Sequence, residues 1–555
     1  MTSTTIIPAG SGNRARGGRL RRLDGADALV AALWLACGGL ILVPIGALLV
    51  LAARGEHLSV LLQGDVLQAG ANSLVSAIAS ALAAVVIGTV FSVLLERTDL
   101  RGRGALRLLA LSPLLMPPFV GAIAWLGVAG PTSPLNLWWR DVFGAPLWSI
   151  YGADGVILLL TIHSYPIAMI IVSAALRRIP SDLEQAARIG GAGPIRALTS
   201  VTVPLLRPAL VSSFVLIAVG NLADFGIPSI IGLPERFVTL ATLVYRYLQS
   251  GTVDDPLAVV ATIGVVLLVL AVLALVADAA LARRGWELDS SNAVPERTPL
   301  GRARMPIGVT LWAVVLVITV LPLLALLTQT LLRAPGVPLT WENLTLDHFV
   351  RAVTTPSALA GAANSVMLAT LAAVICGVLG LAIGVVVART RGRASRGLGA
   401  VATVPQAIPG IVIAVAWLIL APTLGLFNTP WLILVAYVTS FTALVVQAVA
   451  APLSATPTSA EEAARVAGAG RLRALVDISC RMAAPAAVAG AVVVAVTAVR
   501  ELTLSVLLLS PGSQTLGVAI FNFQQAGAFN TASAWSLIVA LVGLSVIGLA
   551  TRRPR

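Results

Sequence analysis

Apolar runs long enough to cross a bilayer recur along this chain, and they leave few folds open. A membrane core of about 30 Å takes about 20 apolar helical residues. Twelve candidate spans are expected, near 28–53, 71–95, 106–129, 155–175, 206–228 and 256–282 in the first half. In the second half they lie near 307–331, 363–388, 398–421, 430–451, 484–509 and 533–551. With 58% hydrophobic and 11% charged residues over 555 positions, a soluble enzyme, a disordered chain and a disulfide scaffold are excluded. Backbone polar groups in lipid must be satisfied within each segment, so the expected class is an all-α polytopic membrane protein.

The charges indicate the topology. All 37 basic residues are Arg, against 24 acidic ones. With the N-terminus placed in the cytoplasm, 30 Arg fall in inside segments and six outside, Arg54, Arg140, Arg236, Arg246, Arg333 and Arg351. One more, Arg500, falls in the eleventh expected span. This is a positive-inside pattern with both termini cytoplasmic, and lipid headgroups account for it without nucleic acid. Cys37, Cys376 and Cys480 have no metal-ligand spacing, and the Arg-rich first 27 residues lead into a span rather than a cleavable signal.

The text then repeats. Residues 71–98, ANSLVSAIASALAAVVIGTVFSVLLERT, match 363–390, ANSVMLATLAAVICGVLGLAIGVVVART. The offset of 292 holds at Pro113/Pro405, Pro117/Pro409 and Trp125/Trp417, then drops to 277 at Pro180/Pro457 and Gly191/Gly468. The first half therefore has about 15 extra residues near 130–154, where Trp138, Trp139 and Trp148 suit either an interfacial aromatic belt or a docking surface. The expected division is a basic tail 1–27, a first repeat 28–282, a cytoplasmic linker 283–306 and a second repeat 307–555. Six spans per repeat make the halves parallel, with a pathway at their interface. Prolines 113, 117, 118, 405 and 409 are expected to kink the third span of each half.

One loop is duplicated in detail. EQAARIGGAGPIRALTSVTVP (184–204) and EEAARVAGAGRLRALVDISCR (461–481) agree at ten of 21 positions. Ser181 with Glu184, and Thr458 with Glu461, are spaced as capping boxes that would start a short helix. The glycines should end it, and Pro194 suits the first turn of a second short helix. Ala186, Ala187, Ala463 and Ala464 permit close approach to another surface, and Arg188, Arg196, Arg465 and Arg473 charge its edge. The plainer alternative is an amphipathic connector at the interface.

This loop resembles the signature of type I binding-protein-dependent ABC importer permeases: E-A-A, three residues, Gly, nine residues, Ile-x-Leu-Pro. Glu462, Ala463, Ala464, Gly468 and Ile478 fit in the second copy, and Ala186, Ala187, Gly191, Val201 and Pro204 in the first. Gln185 stands where the family has Glu, and Cys480-Arg481 where it has Leu-Pro. The resemblance implies a permease subunit in a bacterial cytoplasmic membrane, two copies of a cytoplasmic ABC ATPase and an extracytoplasmic substrate-binding protein. It assigns ATPase coupling to Glu184, Gln185, Ala186, Ala187, Arg188, Gly191 and Pro204, and to Glu461, Glu462, Ala463, Ala464, Arg465 and Gly468. No ATPase site or cofactor of its own is expected, because the P-loop needs a Lys and the chain has none; the partner would bind ATP.

Asp224 and Glu501 are repeat equivalents in or near expected spans, where a carboxylate at midplane costs about 2.5–3.5 kcal/mol. With Arg500 they are assigned to the translocation pathway or its gate, the alternative being ordinary helix-end groups. Arg500 and Glu501 are adjacent and cannot simply pair on one helix. His163 and Tyr165 read as packing residues. The last segment, with Glu501-Leu502 before a Leu-rich run, resembles the ferric-iron branch, and thiamine permeases share the fused arrangement. Polyamine, sulfate and phosphonate remain alternative cargoes for the same machinery. An ion-coupled secondary transporter is the rival from another class.

Overall fold

A computed structural model describes residues 25–54, 58–251, 254–282, 297–390 and 392–551. Most of the basic tail, linker residues 283–296 and the terminal 552–555 lie outside the described residues. The described residues are almost wholly helical. The first half comprises α1 (Gly25–Ala53), α2 (Gly64–Arg97), α3 (Arg103–Ala110), α4 (Pro118–Ala129), α5 (Pro134–Phe143), α6 (Ala153–Leu176), α7 (Ser181–Ile189), α8 (Pro194–Leu222), α9 (Leu240–Gln249) and α10 (Pro256–Ala282). The second half repeats them as α11 (Arg304–Leu331), α12 (Pro356–Arg389), α13 (Arg393–Thr403), α14 (Gly410–Leu420), α15 (Pro430–Ser454), α16 (Ser459–Val466), α17 (Arg471–Val499), α18 (Leu516–Gln525) and α19 (Phe529–Thr551). Of the first-half helices α5 alone lacks a counterpart, and it occupies that half's extra text; the second half adds a short helix, Asp347–Thr354, before α12.

Long helices form the frame. At 34 residues each, α2 and α12 rise about 1.5 Å per residue and so exceed a 30 Å bilayer core. The most extensive packing of each is on α6 or α15. Glycine sets how closely: a Cβ on Gly88 would lie 2.7 Å from Ala168 Cβ, and one on its equivalent Gly380 would lie 2.5 Å from Val445 Cβ. Small residues at such crossings let membrane helices gain dispersion contacts that lipid cannot outcompete.

The first helices cross over. Helix α1 packs on α14 of the second half, and α11 packs on α4 of the first. Trp34 of α1 covers Gly397 and donates its indole N–H to Ala394 O at 3.1 Å. Trp312 of α11 covers Gly102 in the same manner. Each half is thereby clasped by the leading helix of the other.

The span pattern is less regular than the hydropathy implied. Among the described residues nine helices are long and apolar enough to cross a membrane. The third span of each half is broken, not merely kinked: the α3 and α4 segments meet at 105°, the α13 and α14 segments at 106°. Residues before proline are driven out of the helical region. Accordingly Met116 and Ile408 are extended just before Pro117 and Pro409. The expected fifth and eleventh spans also shift. Helix α8 begins at Pro194 and α17 at Arg471, so the second arm of each duplicated loop is not a separate short helix but the start of a 29-residue span. The eleventh ends at Val499, which leaves Arg500 and Glu501 in the break beyond it.

Candidate coupling loops and intramembrane site

The duplicated loop forms an exposed knuckle at the Arg-rich end of each half. In the first, Gly191 adopts φ +88° after α7, its N–H donates to Arg188 O at 3.0 Å, and Ala192 N–H donates to Ala187 O at 3.0 Å. In the second, Gly468 adopts φ +96° after α16, with Gly468 N–H to Arg465 O at 3.1 Å and Ala469 N–H to Ala464 O at 2.9 Å. Both are Schellman closures, which need a left-handed residue that glycine supplies without a Cβ clash. The tips are apolar and uncovered: Ile189 is 88% exposed and its equivalent Val466 is 91% exposed. Gln185, Ala186, Arg188, Glu462, Ala463 and Arg465 are also exposed, Ala187 and Ala464 partly so. Pro204 lies about three turns into α8.

The second capping box does not form, and the first would rest on Ser181. Pro180 is the N-cap of α7, so Ser181 is already inside the helix; its side chain lies outside the described residues. Thr458 makes no cap hydrogen bond to backbone and instead donates to Glu462 Oε1 at 2.7 Å. Glu184 and Glu461 turn inward because a tertiary partner competes with the local one. Arg389, the last residue of α12, places Nε 2.8 Å from Glu461 Oε1, with both side chains at least nine-tenths buried. Arg97, the last residue of α2, places Nε 3.6 Å from Glu184 Oε1. Ser479 donates to Glu461 Oε1 at 2.8 Å, and Thr202 donates likewise to Glu184. The guanidiniums also hold the segment entering each knuckle: Arg97 Nη2 donates to Leu176 O and Ile179 O at 3.0 and 3.1 Å, Arg389 to Thr456 O at 2.9 Å. The repeat alignment contained both arginines, but nothing local identified their partners.

The knuckles differ in one respect. Leu472 of the second is covered by Gly25 of α1, and Arg471 lies 3.8 Å from Asp27. The equivalent Ile195 of the first is 78% exposed.

A second site lies where the halves meet. Asp224, Arg500, Glu501 and His163 line one cavity of about 400 Å³ together with Phe119, Thr497 and Thr503. Both carboxyls also cap the turn that follows: Asp224 Oδ1 accepts from Ile227 N–H at 2.9 Å, and Glu501 Oε2 from Leu504 N–H at 2.8 Å. One oxygen of each thus meets backbone, while both side chains border the cavity. Arg500 has no counterpart, since Ala223 stands at the equivalent position. Its guanidinium crosses the seam to Leu114 O at 2.8 Å and Met116 O at 3.2 Å, the carbonyls at the α3–α4 break.

Beside the cavity, Phe225, Tyr245 and Phe521 form an aromatic cluster across the seam, with ring centroids 5.1–6.0 Å apart. Phe225 and Phe521 are fully buried. Helices α9 and α18 that supply the latter two rings are held by the repeated Asn-Ser pair. Asn72 donates to Val238 O and Ser73 accepts from Leu240 N–H; Asn364 donates to Gln514 O and Ser365 accepts from Leu516 N–H. That explains why the repeated text opens on ANS.

Residues 84–286 and 380–553 match the family model described as the binding-protein-dependent transport system inner membrane component. The chain belongs to that family. One match falls in each half, beginning inside α2 and α12, and the apolar helices together with the family make this a multi-pass inner membrane protein. The ferric transport system permease protein FbpB of Actinobacillus pleuropneumoniae is 27% identical over 40% of this chain and 32% of that protein. The molybdenum transport system permease protein ModB of Mycobacterium tuberculosis is 34% identical over 36% of this chain and 75% of that protein. The maltose/maltodextrin transport system permease protein MalF of Escherichia coli is 29% identical over 23% of this chain and 27% of that protein. The match thus spans about a third of the length of the ferric relative.

Proposed function

We propose that this family member is the transmembrane permease subunit of an ATP-driven importer. A binding protein delivers cargo at the face opposite the knuckles. Two copies of a cytoplasmic ABC ATPase engage the knuckles through Ile189, Val466 and the alanine and arginine surface around them. The chain brings no ATPase site or cofactor of its own, and the nucleotide is the partner's. The observation that carries this reading is the pair of exposed, Schellman-closed knuckles, each continuous with a 29-residue span. A force applied at either tip moves α8 or α17 as a rod, and the far ends of those rods carry the cavity residues Asp224, Arg500 and Glu501. Access would alternate as the aromatic cluster opens and closes. An interfacial connector would bury apolar tips in lipid; these tips project from the Arg-rich ends, flanked by charge.

Ferric ion is the cargo we favour. The cavity presents two carboxyls against one guanidinium, which suits a cation, and a ferric permease protein is among the relatives. The relative with molybdenum in its name supports an oxyanion as the second reading, and Arg500 is the residue that would receive it. Proteoliposomes holding the chain with its ATPase, supplied with the binding protein, separate the two. ATP-dependent accumulation of radioactive ferric ion is expected. ATP-dependent accumulation of molybdate alone would transfer the assignment, and uptake driven by an ion gradient without ATP would defeat the importer reading.

A further inference from the structure

We infer that Arg97 and Arg389 are positioning residues that lock each knuckle to the long second helix of its half, so that the knuckle drives two spans rather than one. This rests on the coupling reading above and assigns side chains that point away from the proposed partner. Covalent continuity already joins each knuckle to α8 or α17. The only polar bridge from the knuckle helices α7 and α16 to α2 and α12, among the described ion pairs, is the buried Arg–Glu contact.

The arrangement is the same in both halves despite different surroundings. Arg97 and Arg389 end their helices, Glu184 and Glu461 sit on the inward face of the knuckle, and a hydroxyl from the next span, Thr202 or Ser479, donates to the same carboxylate oxygen that faces the arginine. The guanidinium holds backbone carbonyls of the entering segment at the same time. Four chain segments therefore converge on one buried ion pair. Burying such a charge contact stabilises little by itself, but the directional bonds from the same guanidinium to Leu176 O and Ile179 O, or to Thr456, fix where the cation sits. A device whose purpose was adhesion alone could be an apolar plug. One that transmits displacement needs a fixed charge contact, and here the cation is anchored by its bonds to the entering segment while it faces the knuckle carboxylate.

The test uses the assembled complex of full chain, ATPase and binding protein in proteoliposomes, with uptake and ATP hydrolysis measured together. In the Arg97→Gln/Arg389→Gln chain, ATPase subunits should still co-purify and hydrolyse ATP. Uptake per ATP should fall by about tenfold, inside the 5–150-fold range of typical coupling between sites. Adding Glu184→Gln/Glu461→Gln to that chain should cost little more, since the pair is already broken. An unchanged ratio of uptake to hydrolysis overturns the inference. Should the Gln chain fail to assemble, Arg97→Lys/Arg389→Lys, which keeps the cation but loses the fork, carries the same test: a reduced ratio supports the lock and an unchanged one overturns it. If the unaltered chain brings down no ATPase, the coupling reading falls and this inference with it, whereas an intact complex with an unchanged ratio sinks this inference alone.

Discussion

At the scale of single residues, the carboxyls at the seam do two jobs that substitution can separate. Asp224 and Glu501 each use one oxygen to cap a turn, a contact an amide oxygen can also make. Asp224→Asn with Glu501→Gln should therefore leave membrane insertion intact while ATP-dependent uptake falls about tenfold, a change near 1.4 kcal/mol. Uptake at the unaltered level would place these groups outside the pathway. The buried pair at the second knuckle makes a thermodynamic prediction. Glu461→Ala leaves the Arg389 guanidinium buried without its charge partner, and should cost about 3–5 kcal/mol, whereas Arg389→Met/Glu461→Met should cost far less. Thermal unfolding in detergent of both variants checks the ordering; equal losses would contradict it. The sequence had marked Glu184 and Glu461 but paired them with the nearest hydroxyl. Local spacing cannot see a guanidinium that arrives from the end of another helix.

At the scale of elements, the repeat made most of the helices legible because apolar length and text duplication agree. The breaks were harder to read. Proline spacing located the third-span break of each half, but hydropathy continues across it, so a kink was expected where the chain turns through 105° and 106°. The ends of α8 and α17 were misplaced for the same reason: the segments after them, Phe225–Gly232 and Leu502–Leu508, are as apolar as a span yet pack as short turns against the seam. Helix contacts are a firmer matter. Because a Cβ on Gly380 would meet Val445 Cβ at 2.5 Å, Gly380→Leu should force α12 from α15 and cost about 1–3 kcal/mol. Gly70→Ala in α2, where nothing lies within 4 Å, should be neutral or slightly stabilising. Melting temperatures of the two variants test the contrast, and a destabilised Gly70→Ala with an unaffected Gly380→Leu would reverse it.

At the scale of the whole molecule, two matching halves clasp each other through exchanged first helices, share a cavity lined by Asp224, Arg500 and Glu501 at their seam, and each extend a matching knuckle. The duplication gave the symmetry. The asymmetries needed the folded chain: Arg500 tethers the second half to the α3–α4 break, and α1 covers the second knuckle's Leu472 while the first knuckle's Ile195 stays open. The central claim is that a separate ATPase grips the two tips. Ile189 and Val466 hold nothing within the chain's own core, so Ile189→Asp/Val466→Asp should leave expression and thermal unfolding of the chain unaltered. Co-purification of the ATPase with that double variant is the most direct measurement. The account predicts that the ATPase is lost while the permease remains folded, and ATPase recovered at the full unaltered ratio would contradict it.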